Sequence, residues 1–367
     1  MFHAIFALCP ARHILLLAGA VSIALHVALR KNHGFMMRMS DGFIRPVHRA
    51  MSVLNSHVPF SVAECLIGLA ICAVMVYIIY QIISIISHKD RLKRVYITII
   101  SLLTAASLVY AGFCILWGAY FYADDFMQRS GLDDGKVSAE QLERVTKYFA
   151  HLANEYASQV QRDENGLYST SAEDIIAKSP EVFHKTEKRF ECLSGPDIAV
   201  KPIHFSRVMS YMDFTGFFFP FTAEANVNID SPTCMLASTV AHELSHQRGV
   251  AKEQEANFVA VMACLDYGDA DYCYSACLLA YIHLGNALYK ADKEAWREAA
   301  SMLSEAVWAD LQNNSAYWEQ FDTPVQTVSN TVYEGFMYSY DQDMGLKSYG
   351  ACVDLLVNYY DEAAKSN

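Results

Sequence analysis

The chain opens on long apolar runs and then changes to helical repeats with polar faces. His13–Leu29 is apolar apart from His13 and His26. Ser61–Ile86 is a second run, broken by Glu64, and Val95–Tyr122 is a third, with Gly112 and Gly118 inside it. At 1.5 Å per residue each run can cross a hydrocarbon core. The pattern therefore predicts three transmembrane helices, about residues 13–29, 61–86 and 95–122, in a membrane anchor over residues 1–122. A signal peptide fits the first run less well. Arg12 is the one basic residue before it, and no small-x-small cleavage site follows.

Residues 123–367 form a second domain, mostly α-helical. Leu142, Val145, Phe149, Leu152 and Tyr156 recur at helical spacing in Val137–Gln161, where Ser138 and Gln141 make a capping pair. A second helix is expected from Ser171 to about Phe190, broken near Ser179-Pro180. Tyr211–Ile229 is rich in aromatic and β-branched residues and reads as extended, with Pro220 demanding an edge or a loop. Helices follow over Thr233–Arg248 (capped by Asp230 or Ser231), from Val250 or Ala251 to about Asp266, and over Asp271–Lys290 and Asp292–Asn313. Ser315–Thr331 reads as irregular chain across the mouth of a cleft. Thr331–Met344 and Ser348–Glu362 close the domain as helices.

Composition agrees with this division. Of the 367 residues 53% are hydrophobic and 19% charged, and mean hydropathy is +0.14. Residues 1–122 carry ten Lys+Arg against three Asp+Glu, whereas the remainder carries 18 against 37. So acidic a domain argues against nucleic acid as a partner. The ten cysteines include no C-x-x-C pair. Six lie beyond residue 122 and allow three disulfides in an oxidising space, with buried thiols as the alternative. Basic residues almost tie between the two sides of the spans. The acidic domain, with no basic cluster after the third span, favours an amino terminus inside and the domain outside the cell membrane.

The chemistry concentrates in Thr239–Asn257, which contains His242-Glu243-Leu244-Ser245-His246. On a helix, histidines at i and i+4 share one face and reach one metal ion, and the glutamate beside the first can hold a metal-activated water. A hydrolytic zinc site takes three protein ligands and keeps one position open. His242 and His246 supply two, and Glu253 or Glu255 can supply the third. Glu253 is preferred, because Asn257 follows one turn later on its face and can hydrogen-bond a ligand imidazole. Glu243 is the expected general base, and His283, Tyr281 and Tyr349 are candidate donors to a developing oxyanion. For the aromatic residues, plain core packing is the competing reading. In the aromatic stretch, an edge strand beside the zinc helix would pair with a peptide substrate, and Glu224 and Asn226 are the polar groups that can face the cleft. A hydrophobic plug explains the same stretch without function.

Five segments carry a resemblance. They are Phe217-Phe-Phe-Pro-Phe-Thr-Ala-Glu-Ala-Asn-Val-Asn228, Ala241-His-Glu-Leu-Ser-His-Gln-Arg-Gly249, Glu253-Gln-Glu-Ala-Asn-Phe258, the helix from Tyr274 to Tyr289, and Gly345-Leu-Lys-Ser-Tyr-Gly350. On these the sequence resembles the bacterial membrane family called domain of unknown function 3810, a zincin-like group with spans before its domain. The resemblance implies a zincin-like α+β domain with a small sheet and a peptidase-type motif, and no substrate. More distantly the sequence is similar to membrane zinc peptidases of the prenyl-protein and heat-shock protease type, which use H-E-x-x-H and a later E-x-x-x-D. In that pattern Glu253 is the ligand and Asn257 stands where those enzymes have aspartate. The step from His246 to Glu253 is shorter here. The turn at Gly249 is similar to that of metzincins, but their third histidine position is Lys252.

These readings converge on a membrane-anchored, zinc-dependent peptidase whose partners are the bilayer and a peptide or protein substrate. A membrane sensor or scaffold that binds zinc without turnover is the alternative. A transporter subunit is disfavoured, since the domain is twice as long as the anchor.

Overall fold

Three apolar helices, α1 (Pro10–Leu29), α2 (Val62–Ser87) and α3 (Arg91–Leu116), dominate the first of two units in the computed structural model, which describes residues 6–132, 135, 137–340 and 350–366. The unit comprises the chain up to Val47, then Val62–Ala123 and Pro220–Thr222. Each helix is long and apolar enough to cross a membrane. Their outer faces are bare hydrocarbon. Leu17 is 65% exposed, Leu69 67% and Val76 67%, a surface that only lipid covers at low cost. The protein is thus embedded in a membrane through several passes.

Helix α3 packs against both α1 and α2. Gly19 makes the α1–α3 approach possible, since a Cβ there would stand 2.6 Å from Ser107 Oγ. The hydroxyl of Thr104 donates to Arg12 O at 3.2 Å across the same pair. The third apolar run was expected to stay helical to Tyr122. Its α-helix stops at Leu116, where Trp117 leaves the helical region, and Gly118–Tyr122 forms a separate 3-10 turn. Packing explains the break: Trp117 is edge-on to Tyr120 at 5.1 Å and to Phe121 at 6.3 Å.

The second unit comprises His48–Ser61, Asp124–Phe219 and from Ala223 onward. Its core is helical. Helix α4 (Ala139–Ala157) starts in a reciprocal Ser138–Gln141 capping box and turns Leu142, Val145, Phe149 and Ala153 inward. Helices α5 (Leu236–Gln247), α6 (Glu253–Tyr267) and α7 (Ala270–Ala291) pack on one another, and α4 covers α7. No side chain caps the start of α5 or the 3-10 turn before it. The carboxylate of Asp230 instead accepts from Tyr317 Oη at 2.6 Å and from Arg207 at 3.2 Å.

Other expectations are adjusted by local breaks. The break expected near Ser179-Pro180 is present: Ala172–Lys178 and Thr186–Arg189 are two short helices, and a 3-10 turn at Pro180 lies between them. The single helix expected over Asp292–Asn313 is divided into α8 (Lys293–Ser301) and α9 (Glu305–Glu319), because Ser304 caps a new start. The stretch expected to be irregular is helical. Helix α9 continues to Glu319, and Pro324 opens α10 (Pro324–Ser339), a position that suits proline's fixed φ. Helix α11 (Gly350–Lys365) ends the unit.

The sheet has three short strands in the order β1–β3–β2. Strand β1 (Lys201–Pro202) is parallel to β3 (Glu224–Val227), and β2 (Gly216–Phe219) is antiparallel to it, with Phe217 opposite Asn226. Pro220 directly follows β2, where its missing N–H costs no ladder bond. Strand β3 is fully buried and central; β2 is half-exposed and forms the edge.

Candidate metal centre

The centre is built by two helices and the turn between them. On α5, His242 and His246 share one face. Gly249, at φ 89°, reverses the chain in a conformation that glycine adopts without strain. Helix α6 then begins with Glu253 in its first turn. The amide of Val250 donates to Ser245 O at 3.1 Å, which closes the turn.

This short reversal brings three ligand atoms together. His242 Nε2 and His246 Nε2 are 3.0 Å apart. Glu253 Oε2 is 3.1 Å from the first, and Glu253 Oε1 is 3.6 Å from the second. Among the described residues, His242, His246 and Glu253 form the one group of histidine, cysteine and acidic side chains that can hold a metal ion. A tetrahedral ion with ligands near 2.0 Å separates them by about 3.3 Å, so the spacing fits.

The protonation pattern fits too. Nδ1 of His246 is 2.6 Å from Val250 O, an atom that can only accept, so Nδ1 carries the proton. Nδ1 of His242 faces Asn257 Oδ1 at 2.9 Å. Both rings are anchored through Nδ1, and their Nε2 atoms converge on one point where something positive must sit. Without a metal a proton serves. Burial pushes the His246 pKa down, but Glu253 and Glu243 outweigh it and hold it up at about 9. Burial likewise opposes ionisation of Glu253, and the two histidines overcome it, driving its pKa well below the usual carboxylate range.

Glu243 follows His242 on α5 and feels the charge of both histidines. Its carboxylate is buried, and Oε2 has no hydrogen-bond partner. Burial raises its pKa to about 7, against the lowering influence of His242 and His246. An orphaned carboxylate is costly, so the position is strained in favour of a polar visitor. Gly216 of β2 presses directly on it. A Cβ at Gly216 would meet Glu243 Oε1 at 2.6 Å and Cγ at 2.7 Å.

The other candidates fall in different places. Glu255 points away from the histidines and accepts from Phe126 N at 2.9 Å; burial raises its pKa to about 7. His283 is buried on α7 close enough to His242 that the latter's charge adds to burial in lowering its pKa to about 4. Tyr281 is buried beside Gly285 and Trp296, where its hydroxyl has no hydrogen-bond partner. Tyr349 lies outside the described residues. Glu224 and Asn226 are on the buried central strand and not at an open edge. Burial lowers the pKa of Lys201, and the nearby Glu224 carboxylate offsets part of that. Asn226 accepts from Ser61 Oγ at 2.7 Å and donates to Glu224 O at 3.0 Å.

One residue was not foreseen. Tyr333, on α10, donates its hydroxyl to Glu253 Oε1 at 2.6 Å. Burial and then the charge of Glu253 raise its pKa well above the ordinary value. Helix α10 is held there by Ser329, which donates to Met212 O at 2.8 Å, and by Asn330, which donates to Asp213 at 3.0 Å. Tyr333 also packs edge-on to Phe214 at 5.8 Å. No spacing rule links position 333 to position 253; Tyr333 falls in Thr331–Met344, expected only as a closing helix just after the segment placed at the cleft mouth.

The cysteines beyond residue 122 add no second centre. Cys264, Cys273 and Cys277 are buried thiols on α6 and α7, and burial raises their pKa values.

The chain belongs to the family described as protein of unknown function (DUF3810), whose model matches residues 39–357. No curated protein and no solved structure matches it.

Proposed function

We propose that the protein is a membrane-tethered zinc peptidase, with His242, His246 and Glu253 as metal ligands and Glu243 as the general base. The observation that carries this reading is the buried carboxylate of Glu243, whose Oε2 has no hydrogen-bond partner, beside two imidazoles whose Nε2 atoms converge on Glu253. A structural metal site needs the ligands and has no task for Glu243. Zinc held there supplies Lewis acidity, polarising a scissile carbonyl and acidifying water.

The chain's own residues do the rest. Asn257 and the Val250 carbonyl hold the two imidazoles in the ligating tautomer. Asn257 is neutral, so it puts no negative charge behind the His242 ring. Glu243 takes the proton from the attacking water and returns it to the leaving amine. The outer edge of β2 pairs with an extended peptide, which brings the scissile bond beside Glu243, because Gly216 leaves no side chain in the way. The Tyr333 hydroxyl, hydrogen-bonded to Glu253, donates to the oxyanion as it develops on the substrate. The domain faces outward from the cell membrane, away from the amino terminus.

Full-length protein in detergent, with zinc measured alongside a peptide-library digest, tests the assignment. Glu243→Gln is expected to keep its zinc and lose turnover by roughly 10²- to 10⁴-fold. A Glu243→Gln protein as active as the parent would sink the peptidase reading. Zinc in both proteins with cleavage in neither favours the alternative, a metal-binding sensor or scaffold.

A further inference from the structure

The spans carry a polar feature that hydrolysis does not use. At the end of the bundle where α1 begins, α2 ends and α3 begins, there is a cavity of about 420 Å³. Arg12, Arg94, Gln81 and Tyr80 contribute to its wall, with Pro10 and Ile97. None of the described residues lining it is acidic.

Its polar groups are short of partners. Gln81 is 7% exposed and lines the cavity. Nε of Arg94 is buried with no hydrogen-bond acceptor, and its Nη1 donates to the Ser84 hydroxyl. The first turn of the 20-residue helix α1 forms another part of the wall, and no side chain caps it. Pro10 has no N–H and the amide of Arg12 donates to Cys9 O at 3.1 Å, so what this end offers an anion is the positive end of the helix dipole. Guanidinium groups at the ends of membrane spans attract anionic groups at the bilayer surface. Two of them, a helix N-terminus and an amide donor around one cavity make a site for an anion with several acceptor oxygens. Exposed Tyr80 and apolar Ile97 suit a ligand that continues into hydrocarbon.

We propose that this cavity binds the phosphate head group of an anionic phospholipid, with Arg12 and Arg94 as the charge partners and Gln81 as a neutral donor. The phosphate is the recognised chemistry; the attached chains lie along the outer faces of the spans. This inference is independent of the peptidase reading.

The test uses full-length protein, delipidated in detergent and exposed to phosphatidylglycerol or phosphatidylcholine. Retained lipid is counted by native mass spectrometry. The parent is expected to keep one phosphatidylglycerol in preference to phosphatidylcholine. Arg12→Gln/Arg94→Gln should lose that preference roughly thirtyfold, the effect of two basic groups at an anionic surface. Gln81→Leu, which removes no charge, should weaken retention of the same lipid. Arg91→Gln/Lys93→Gln, in the same turn but outside the cavity wall, should behave as the parent. Equal retention of the two lipids by the parent overturns the proposal, as does an equal loss in the Arg91/Lys93 variant. Displacement of the lipid by millimolar inorganic phosphate would assign the site to free phosphate and overturn the lipid assignment.

Discussion

Gly216 and Glu243 stand so close that no side chain fits between strand β2 and the carboxylate: a Cβ would come within 2.6 Å of Oε1. The strand backbone is therefore the wall of the centre. Gly216→Ala forces either the strand or the glutamate to move. The variant should lose about 1–3 kcal/mol of stability, as overpacked sites do, and most of its peptidase turnover, with zinc content unchanged. Thermal unfolding and metal analysis of the same preparation check both halves. Parent-like turnover from a stably folded Gly216→Ala protein contradicts the arrangement.

The ligand set predicts a sharp contrast between two neighbouring glutamates. Glu253→Ala and His246→Ala should each purify without bound metal, since a two-ligand site holds zinc poorly. Glu255→Ala should bind zinc normally, because Glu255 accepts from Phe126 N and does not face the histidines. Its cost should appear instead as lower stability, read by chemical denaturation. Normal zinc in Glu253→Ala would remove Glu253 from the centre.

Metal uptake should depend on pH in a defined direction. In the metal-free protein His246 holds its proton up to a pKa of about 9, above the ordinary histidine range. An incoming ion must displace that proton at neutral pH. Apparent affinity should therefore rise with pH, by up to about tenfold per unit, and level off near pH 9. Calorimetry in buffers of different ionisation enthalpy should show about one proton from His246, and a further fraction from Glu243, released per ion at pH 7. Affinity that is flat between pH 6 and 8 rejects the proton-for-metal exchange.

Tyr333→Phe removes a hydroxyl and keeps the ring against Phe214. Under the proposed role, kcat should fall by roughly 10²-fold or more with KM little changed and zinc retained. A rise in kcat would instead mean that the hydroxyl restrains Glu253 in the resting protein. Steady-state kinetics on a peptide found in the library digest separates these outcomes.

Much of this architecture is legible in residue order, for physical reasons that differ from part to part. The spans show themselves because a bilayer demands about 20 apolar residues in succession, and little else produces such runs. The two histidines show themselves because i,i+4 is a local geometry. Glu253 follows after one glycine turn, within reach of the same local reasoning. Tyr333 is different: it comes to Glu253 from a distant helix, through packing of Ser329 and Asn330 on the 212–213 loop. Nothing in its neighbours encodes that meeting. The sheet is a similar case. Aromatic and β-branched residues marked the 211–229 stretch as extended, but strand order depends on which segment covers β3. That segment is Lys201–Pro202, two residues with no strand signature of their own. Glu224 and Asn226 consequently lie inside the sheet and not along its rim.

The neutral side chain at Asn257 has an electrical consequence. Two uncharged imidazoles and one carboxylate balance only half of a divalent ion, and Asn257 adds no anion behind them. A divalent ion held there would leave one surplus positive charge in a buried place, beside Glu243. Filling the site should therefore pull Glu243 below its metal-free pKa of about 7 and make it an anion. The ion that recruits the water would, by the same field, switch on the base that deprotonates it.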